Sequence, residues 1–178
     1  HLTLVPYLSA AAELKTKPTQ HSVKTLMESG VNADIIVCRT EHKLSNAIKN
    51  KIALFCNVQN EAVIESIDAE TIYDVPILMQ KERLDKVVLK KLGLSTIKSS
   101  KMDRWKVFLD KLKNSDKTVN IGLVGKYVEL QDSYKSILES LTHAGVANEV
   151  KVKIITIHSE SIEDKNLSEM LEKLNGII

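Results

Sequence analysis

Lysines and threonines alternate in the segment KTKPTQ, residues 15–20. Apolar residues at helical spacing follow this segment, so a helix is predicted to begin near Pro18. The first turn of a helix has unpaired N–H groups and partial positive charge, and Lys15 and Lys17 beside it would destabilise an isolated helix. A bound phosphate would compensate, because N–H, ammonium and threonine hydroxyl groups all donate hydrogen bonds to phosphate. The alternative is that both lysines are solvated loop side chains, and the spacing does not separate the two.

The two cysteines, Cys38 and Cys56, lie within apolar segments, DIIVCRT and IALFCNV. Neither belongs to a CxxC pair or has a histidine nearby that could share a metal ion. Both are therefore predicted to be buried free thiols.

The composition excludes several classes of protein. The chain has 178 residues and a net charge of +2, with the charges spread along it, so no nucleic-acid interface is predicted. No apolar run approaches the roughly 20 residues of a membrane span, and no signal peptide opens the sequence. A cytoplasmic protein is expected. The chain begins and ends in apolar segments, HLTLVPYL and LNGII, so we expect the natural protein to continue beyond both ends.

The first half of the chain alternates between predicted strands and helices, which is typical of a parallel α/β sheet. Asp68 is placed to cap a following helix, and Gly93 ends a basic amphipathic one. Strands are predicted over residues 2–8, 34–38 and 62–66, and helices over residues 18–30, 44–55 and 81–94.

A polar segment without periodicity, STIKSSK at residues 95–101, predicts a linker. A short helix follows it, with Trp105, Phe108, Leu109 and Leu112 on one face. The strand and helix alternation then restarts, and strands joined through helices should be parallel with right-handed crossovers. Strands are predicted over 118–127 and 150–158, and helices over 133–145 and 167–174.

The segment GLVG contains two glycines, Gly122 and Gly125. It lacks the third glycine of a dinucleotide-binding fingerprint and the acidic residue about 20 positions further on. Both are therefore interpreted as turn glycines.

Four segments in the order KTKPTQHSVK, KIALFCNV, IYDVP and VGKYVELQDSYKS closely resemble the CTP synthase family, and the resemblance covers the whole chain. It implies an α/β chain in which a parallel-sheet, P-loop-like amidoligase segment precedes the first βαβ portion of a flavodoxin-like class I glutamine amidotransferase domain. The implied boundaries are 1–94 for the C-terminal part of the amidoligase domain, 95–117 for a linker with a helix, and 118–178 for the start of the amidotransferase domain.

The resemblance also implies a reaction. ATP phosphorylates the 4-oxygen of UTP, and ammonia released from glutamine displaces the phosphate to give CTP. The ligands implied are UTP, CTP, ATP, glutamine and Mg²⁺, with GTP as an allosteric activator, and the assembly implied is a homotetramer.

Site residues follow from the resemblance one by one. Those matching the UTP and CTP site are Lys15, Thr16, Lys17, Pro18, Thr19, Gln20 and Lys51. Those matching the ATP site are Arg39, whose guanidinium can stack on adenine, and Ile67, Asp68 and Ala69, which the family uses largely through backbone groups. Taken alone, Arg39 is equally an ordinary charge at a strand end, and Lys51 a charge on a helix surface.

No catalytic or metal-binding residue is predicted within this chain. It contains no glycine-rich phosphate loop, no pair of acidic Mg²⁺ ligands and no cysteine in a nucleophile elbow. His143 and His158 are interpreted as surface or helix-end side chains. The chain alone is therefore expected to be inactive. Two alternatives stay open: a nucleotide-binding or assembly fragment without catalysis, and another ATP-dependent amidoligase such as dethiobiotin synthetase, against which the pyrimidine loop and the attached glutaminase-like unit argue.

Overall fold

The computed structural model describes residues 1–94 and 101–178. The chain divides into two compact units, His1–Met102 and Asp103–Ile178. Residues 95–100, which make up most of the predicted linker segment STIKSSK, lie outside the described residues.

The first unit contains a three-stranded parallel sheet in the order β1-β4-β5. The strands are β1 (Leu2–Leu4), β4 (Ile36–Thr40) and β5 (Val63–Ile67). Helical crossovers join them, as the alternating pattern predicts. The prediction of an α/β fold with parallel sheets is confirmed.

The helices of this unit cover both faces of the sheet. Ile36 and Cys38 pack into one apolar cluster together with Val23 and Ile52 of the first two helices, whereas Val37 faces a second cluster, which contains residues of the last helix. The alternation along β4 therefore supplies both cores. The helices are α1 (Lys17–Glu28), α2 (Asn46–Phe55), α3 (Val75–Lys81) and α4 (Leu84–Lys91).

The predicted strand over residues 2–8 is wrong in its length. It breaks after Leu4, and residues 7–8 and 13–14 instead form an antiparallel pair, β2 (Tyr7–Leu8) and β3 (Glu13–Leu14). Pro6 has no N–H group to donate to a ladder, which favours the break at this point. The resulting hairpin lies between β1 and α1.

The predicted helix over residues 81–94 is also wrong in its bounds, because two helices meet near its start. Arg83 has φ +60, in the left-handed region, and this residue separates α3 from α4. Asp68 does not cap the element that follows it. Thr71 does, in a capping box with Asp74.

The second unit contains a parallel sheet in the order β7-β6-β8. The first three strands of a flavodoxin-like sheet are arranged in the same order, with the first strand between the second and the third. Its elements are α5 (Asp103–Asn114), β6 (Lys117–Gly125), α6 (Lys135–Ala147), β7 (Val150–His158), α7 (Asp164–Leu171) and β8 (Gly176–Ile177). In neither unit is any described helix long and apolar enough to cross a bilayer.

Gly122 lies within β6 and is not a turn glycine, and Gly125 is the last residue of the same strand. A Cβ atom on Gly122 would stand 2.6 Å from Cδ1 of Leu174. The glycine therefore lets the segment before β8 pack closely on the strand.

Both cysteines are buried free thiols, as predicted. Burial, with a smaller contribution from the neighbouring Cys56, raises the pKa of the Cys38 thiol to about 12. Burial raises the pKa of Cys56 as well. At pH 8 both side chains are thus neutral.

We predict that Cys38 in the folded protein reacts with an aromatic disulfide reagent at pH 8 about a thousandfold more slowly than in urea-unfolded protein. Only the thiolate reacts, and burial raises the pKa of Cys38 by about three, from 9.0 to about 12, so the thiolate fraction at pH 8 is smaller in the folded protein by the same factor. The folded-state pKa is raised, so the stability that this thiol contributes is complete below the unfolded-state pKa and declines as the pH rises toward 12. The rate is measured from the absorbance of the aromatic thiolate that the reagent releases. The Cys56→Ala variant is used, so that Cys38 is the thiol that reacts. Equal folded and unfolded rates would contradict the burial.

Candidate functional site

The predicted nucleotide residues of the first unit other than Lys51 lie near the ends of β1, β4 and β5, an edge hereafter called the carboxyl edge. The N–H of Val5 donates to the carbonyl of Arg39 at 2.8 Å, and the N–H of Asp68 donates to the carbonyl of Thr40 at 3.0 Å. These bonds hold the three strand ends together. In open α/β sheets, ligands bind at this edge.

Thr19 attaches the start of α1 to the end of β1. Its side chain is fully buried, and its hydroxyl donates to the carbonyl of Leu4 at 3.0 Å. The hydroxyl oxygens of Thr3 and Thr19 are 2.5 Å apart. Because the Thr19 hydroxyl hydrogen is used in the bond to Leu4, Thr3 is the donor in this contact. The Thr19 hydroxyl therefore faces the interior and is not available to a ligand in this arrangement.

Thr16 and Gln20 also bond to each other. The Thr16 side chain is buried, and its Oγ1 accepts a hydrogen bond from Nε2 of Gln20 at 3.0 Å. The carbonyl of Thr16 accepts the N–H of Gln20 at 3.1 Å and so begins the helix. Lys17 and Pro18, in the first turn, are exposed. Of the predicted loop, Lys15 and Lys17 are thus the side-chain donors that solvent reaches.

The carboxylate of Glu13 interacts with two of the predicted lysines, Lys15 and Lys51. Lys15 donates a hydrogen bond to its carboxylate. That hydrogen bond and the charge of Lys15 hold the pKa of Glu13 below its usual range, and the charge of Lys51 lowers it too. Lys51 lies on the exposed side of α2. The structure thus places Lys15 and Lys51, far apart in sequence, around one anion.

Arg39 and Asp68, two of the predicted ATP residues, form an ion pair. Nε and Nη2 of Arg39 are 3.1 and 3.0 Å from the same oxygen, Oδ1 of Asp68. Both side chains are about half exposed or more, so the pair adds little to stability. It does fix the plane of the guanidinium. Ile67 and Ala69 beside it are partly buried.

Sequence reasoning missed two features of this edge. Glu13 was not predicted, although it stands two residues before Lys15 along an extended segment, a spacing that puts both side chains on one side. The rings of Tyr7 and His42 also meet here, with centroids 4.1 Å apart. No local signal connects these two residues, because one lies in the hairpin and the other after β4.

The remaining titratable candidates have structural contacts. Nδ1 of His158 accepts the N–H of Glu160 at 3.3 Å, and the ring of His143 packs edge-on against Phe108. Within residues 1–94 and 101–178, no group of three or more histidine, cysteine or acidic side chains could hold a metal ion. What the carboxyl edge offers chemically is a cationic surface beside a helix N-terminus, which suits a phosphate-bearing ligand.

Comparison with known proteins gives two findings. A family model described as CTP synthase N-terminus matches residues 1–94, just over half of the chain. Curated proteins named CTP synthase match all 178 residues, with 65% identity in Christiangramia forsetii, 65% in Flavobacterium johnsoniae and 54% in Bacteroides fragilis. The chain spans about a third of the length of these relatives, 33% in each case.

We predict that Thr19→Val lowers the free energy of unfolding by about 1–3 kcal/mol, because valine keeps the shape but leaves the Thr3 hydroxyl and the Leu4 carbonyl without their buried partner. Urea unfolding followed by circular dichroism measures the change. Thr25→Val is the matched control, since Thr25 lies on the same helix with its hydroxyl exposed, and its effect should stay within about 0.5 kcal/mol. Equal losses in the two variants would argue against the anchoring role.

Proposed function

The chain belongs to the CTP synthase family, and we propose that it supplies the UTP- and CTP-binding loop and part of the ATP site of an enzyme that converts UTP to CTP. The observation that carries this proposal is that Lys15 and Lys51 both act on one carboxylate, that of Glu13, shortly before Lys17 begins α1, within the segment that matches the family model. The family match also favours this function over that of another amidoligase of related fold.

The proposed reaction uses ATP to phosphorylate the 4-oxygen of UTP, after which ammonia from glutamine displaces the phosphate. The part of this chain is to bind and orient the nucleotides. UTP and CTP carry the same triphosphate and differ at the position that reacts, so a site that recognises the triphosphate holds both substrate and product. Mg²⁺ has no ligand set among the described residues.

At the pyrimidine-nucleotide site, the two loop lysines would contact the triphosphate. The hydroxyl of Thr19 would hold the helix in place from beneath and would not touch the ligand. The carboxylate of Glu13 now accepts from Lys15, so a bound phosphate would replace it there. The exchange costs little, because water already screens an exposed ion pair.

At the ATP site, the guanidinium of Arg39 would stack on the adenine ring. Asp68 contacts the edge of the guanidinium through Nε and Nη2, which leaves its flat faces able to stack. Ile67 and Ala69 would contribute backbone groups next to it.

The second unit is proposed to begin a class I glutamine amidotransferase domain over residues 118–178, after a linker with a helix over 95–117 and the amidoligase segment over 1–94. Its support is the strand order β7-β6-β8, shared with the start of flavodoxin-like sheets. From the family alone we also propose a cytoplasmic homotetramer that GTP activates.

We predict that Lys15→Ala in the full-length natural enzyme weakens UTP binding and CTP inhibition together, each by about ten- to a hundredfold, because a charge-assisted hydrogen bond to phosphate contributes roughly 1.5–3 kcal/mol. Initial-rate kinetics and calorimetric titration measure both effects. The affinity for ATP without UTP should stay unchanged.

Lys24→Ala is the control for this variant, because Lys24 is an exposed cation on the same helix, paired with Glu28 away from its N-terminus. Lys15→Arg should recover part of the affinity, since guanidinium keeps the charge but differs in shape. If Lys15→Ala and Lys17→Ala both leave UTP and CTP affinities at the level of Lys24→Ala, the lysines are solvated loop charges and the proposed triphosphate contact is wrong.

We predict that Arg39→Ala in the same enzyme raises the KM for ATP about fivefold and leaves that for UTP unchanged, because a partly exposed cation–π contact contributes about 1 kcal/mol. Asp68→Asn should give a smaller rise, since the guanidinium stays but loses its charged partner. Steady-state kinetics at saturating glutamine separate the two constants. Equal weakening of ATP and UTP would place Arg39 outside the adenine site.

A further inference from the structure

A cavity of about 800 Å³ opens in the first unit, and none of the predicted nucleotide residues lines it. The start of α2, the turn before β5 and the junction between α3 and α4 form its walls. Its volume lies in the range of small-molecule sites, roughly 300–1,000 Å³. The cavity is thus separate from the residues of the proposed UTP and ATP sites.

A half-buried ion pair lies in the wall of this cavity. Nζ of Lys49 is 2.6 Å from Oε2 of Glu82, with exposed side-chain fractions of 18% and 27%. The same oxygen accepts the N–H of Glu65 at 3.1 Å. Glu82 therefore ties the end of α3 to α2 and β5, and the charge of Lys49 matches that of its carboxylate.

The second carboxylate in the lining is also engaged. Oε1 of Glu61 is 2.5 Å from Nζ of Lys90. Both lining carboxylates are thus matched by a lysine.

Three further cations line the cavity: Lys81, Arg83 and Lys86. All are exposed, and none forms an ion pair within the part of the chain that the structure describes. The cavity therefore has five positive side chains against two negative ones, an excess larger than the +2 of the whole chain. A concave surface with such an imbalance attracts anions.

Arg83 adds a geometric argument. It holds φ +60, a conformation that glycine adopts without strain and other residues adopt at a cost, and it lines the cavity directly at the start of α4. Guanidinium presents two parallel donors that match two oxygens of one phosphate, whereas the ammonium groups of Lys81 and Lys86 act as point charges beside it.

We propose that this cavity is a second ligand site, which binds a phosphate-bearing small molecule through Arg83, Lys81 and Lys86. The volume leaves room for an uncharged moiety beside the phosphate, and Val63 and Val87 supply apolar wall for it. The proposal does not rest on the function proposed for the carboxyl edge.

Lysine acetylation of the full-length natural protein, with and without tripolyphosphate and quantified by peptide mass spectrometry, tests the site. Tripolyphosphate should slow the acetylation of Lys81 and Lys86 and leave Lys151, an exposed lysine on β7, unaffected. Arg83→Gly, which suits the left-handed backbone, should raise the half-protecting concentration about tenfold, the effect of losing one charge-assisted hydrogen bond. Lys15→Ala should not change the protection of Lys81 and Lys86. A wrong assignment of the nucleotide site at the carboxyl edge can therefore be distinguished from a wrong assignment of the cavity.

Four results would overturn the proposal. The first is acetylation of Lys81 and Lys86 that tripolyphosphate does not slow. The second is equal protection in Arg83→Gly and in the wild-type protein. The third is equal protection by polyglutamate at matched charge, which would indicate an acidic peptide segment as the occupant. The fourth is that both lysines are unreactive without any probe, because another part of the natural protein covers them.

Discussion

The buried hydroxyl of Thr19 joins the first helix to the end of the first strand, and the geometry of the carboxyl edge depends on it. Because this hydroxyl donates to the carbonyl of Leu4 and contacts Thr3, the start of α1 is held against β1. Lys15 and Lys17 are then presented at the edge, beside N–H groups that have no partner within the helix. A threonine inside the segment KTKPTQ thus acts from the interior, as a support for the lysines of the same segment.

Ion pairs differ in strength between the edge and the interior of the first unit. Lys15 with Glu13 and Arg39 with Asp68 are exposed pairs, which water screens and which a ligand can replace at small cost. Lys49 with Glu82 is more buried and receives an additional backbone N–H. Breaking it would leave a poorly solvated charge, so we expect it to stay intact when ligands bind. The same unit therefore combines exchangeable contacts at the edge with a fixed contact in the wall of the cavity.

The two units have the same sheet architecture, but the family model matches only the first of them. Both contain a parallel three-stranded sheet with helical crossovers. The family model covers residues 1–94, and the curated relatives match the whole chain. Membership of the CTP synthase family therefore rests on the first unit together with the continuous match. The amidotransferase assignment of the second unit stays a prediction, supported by its strand order.

Local interactions determined what the sequence alone could predict. Pro18 and the apolar residues after it indicated where α1 begins, and the apolar contexts of the cysteines indicated their burial. Each of these depends on contacts within one turn or one strand, so the residues that decide it are neighbours in the sequence. The cationic segment KTKPTQ was recognisable for the same reason.

Tertiary structure alone decided which side chains meet. The charge of Lys51 reaches Glu13 although the two residues lie in different elements. Asp68 pairs with Arg39 instead of capping a helix because β4 and β5 pair in one particular register. Arg83 takes a left-handed conformation where two helices join, and Gly122 lies within β6 with Leu174 packed closely against it. These partners are separated by up to about fifty residues, and strand register and helix packing, which no short pattern contains, bring them together.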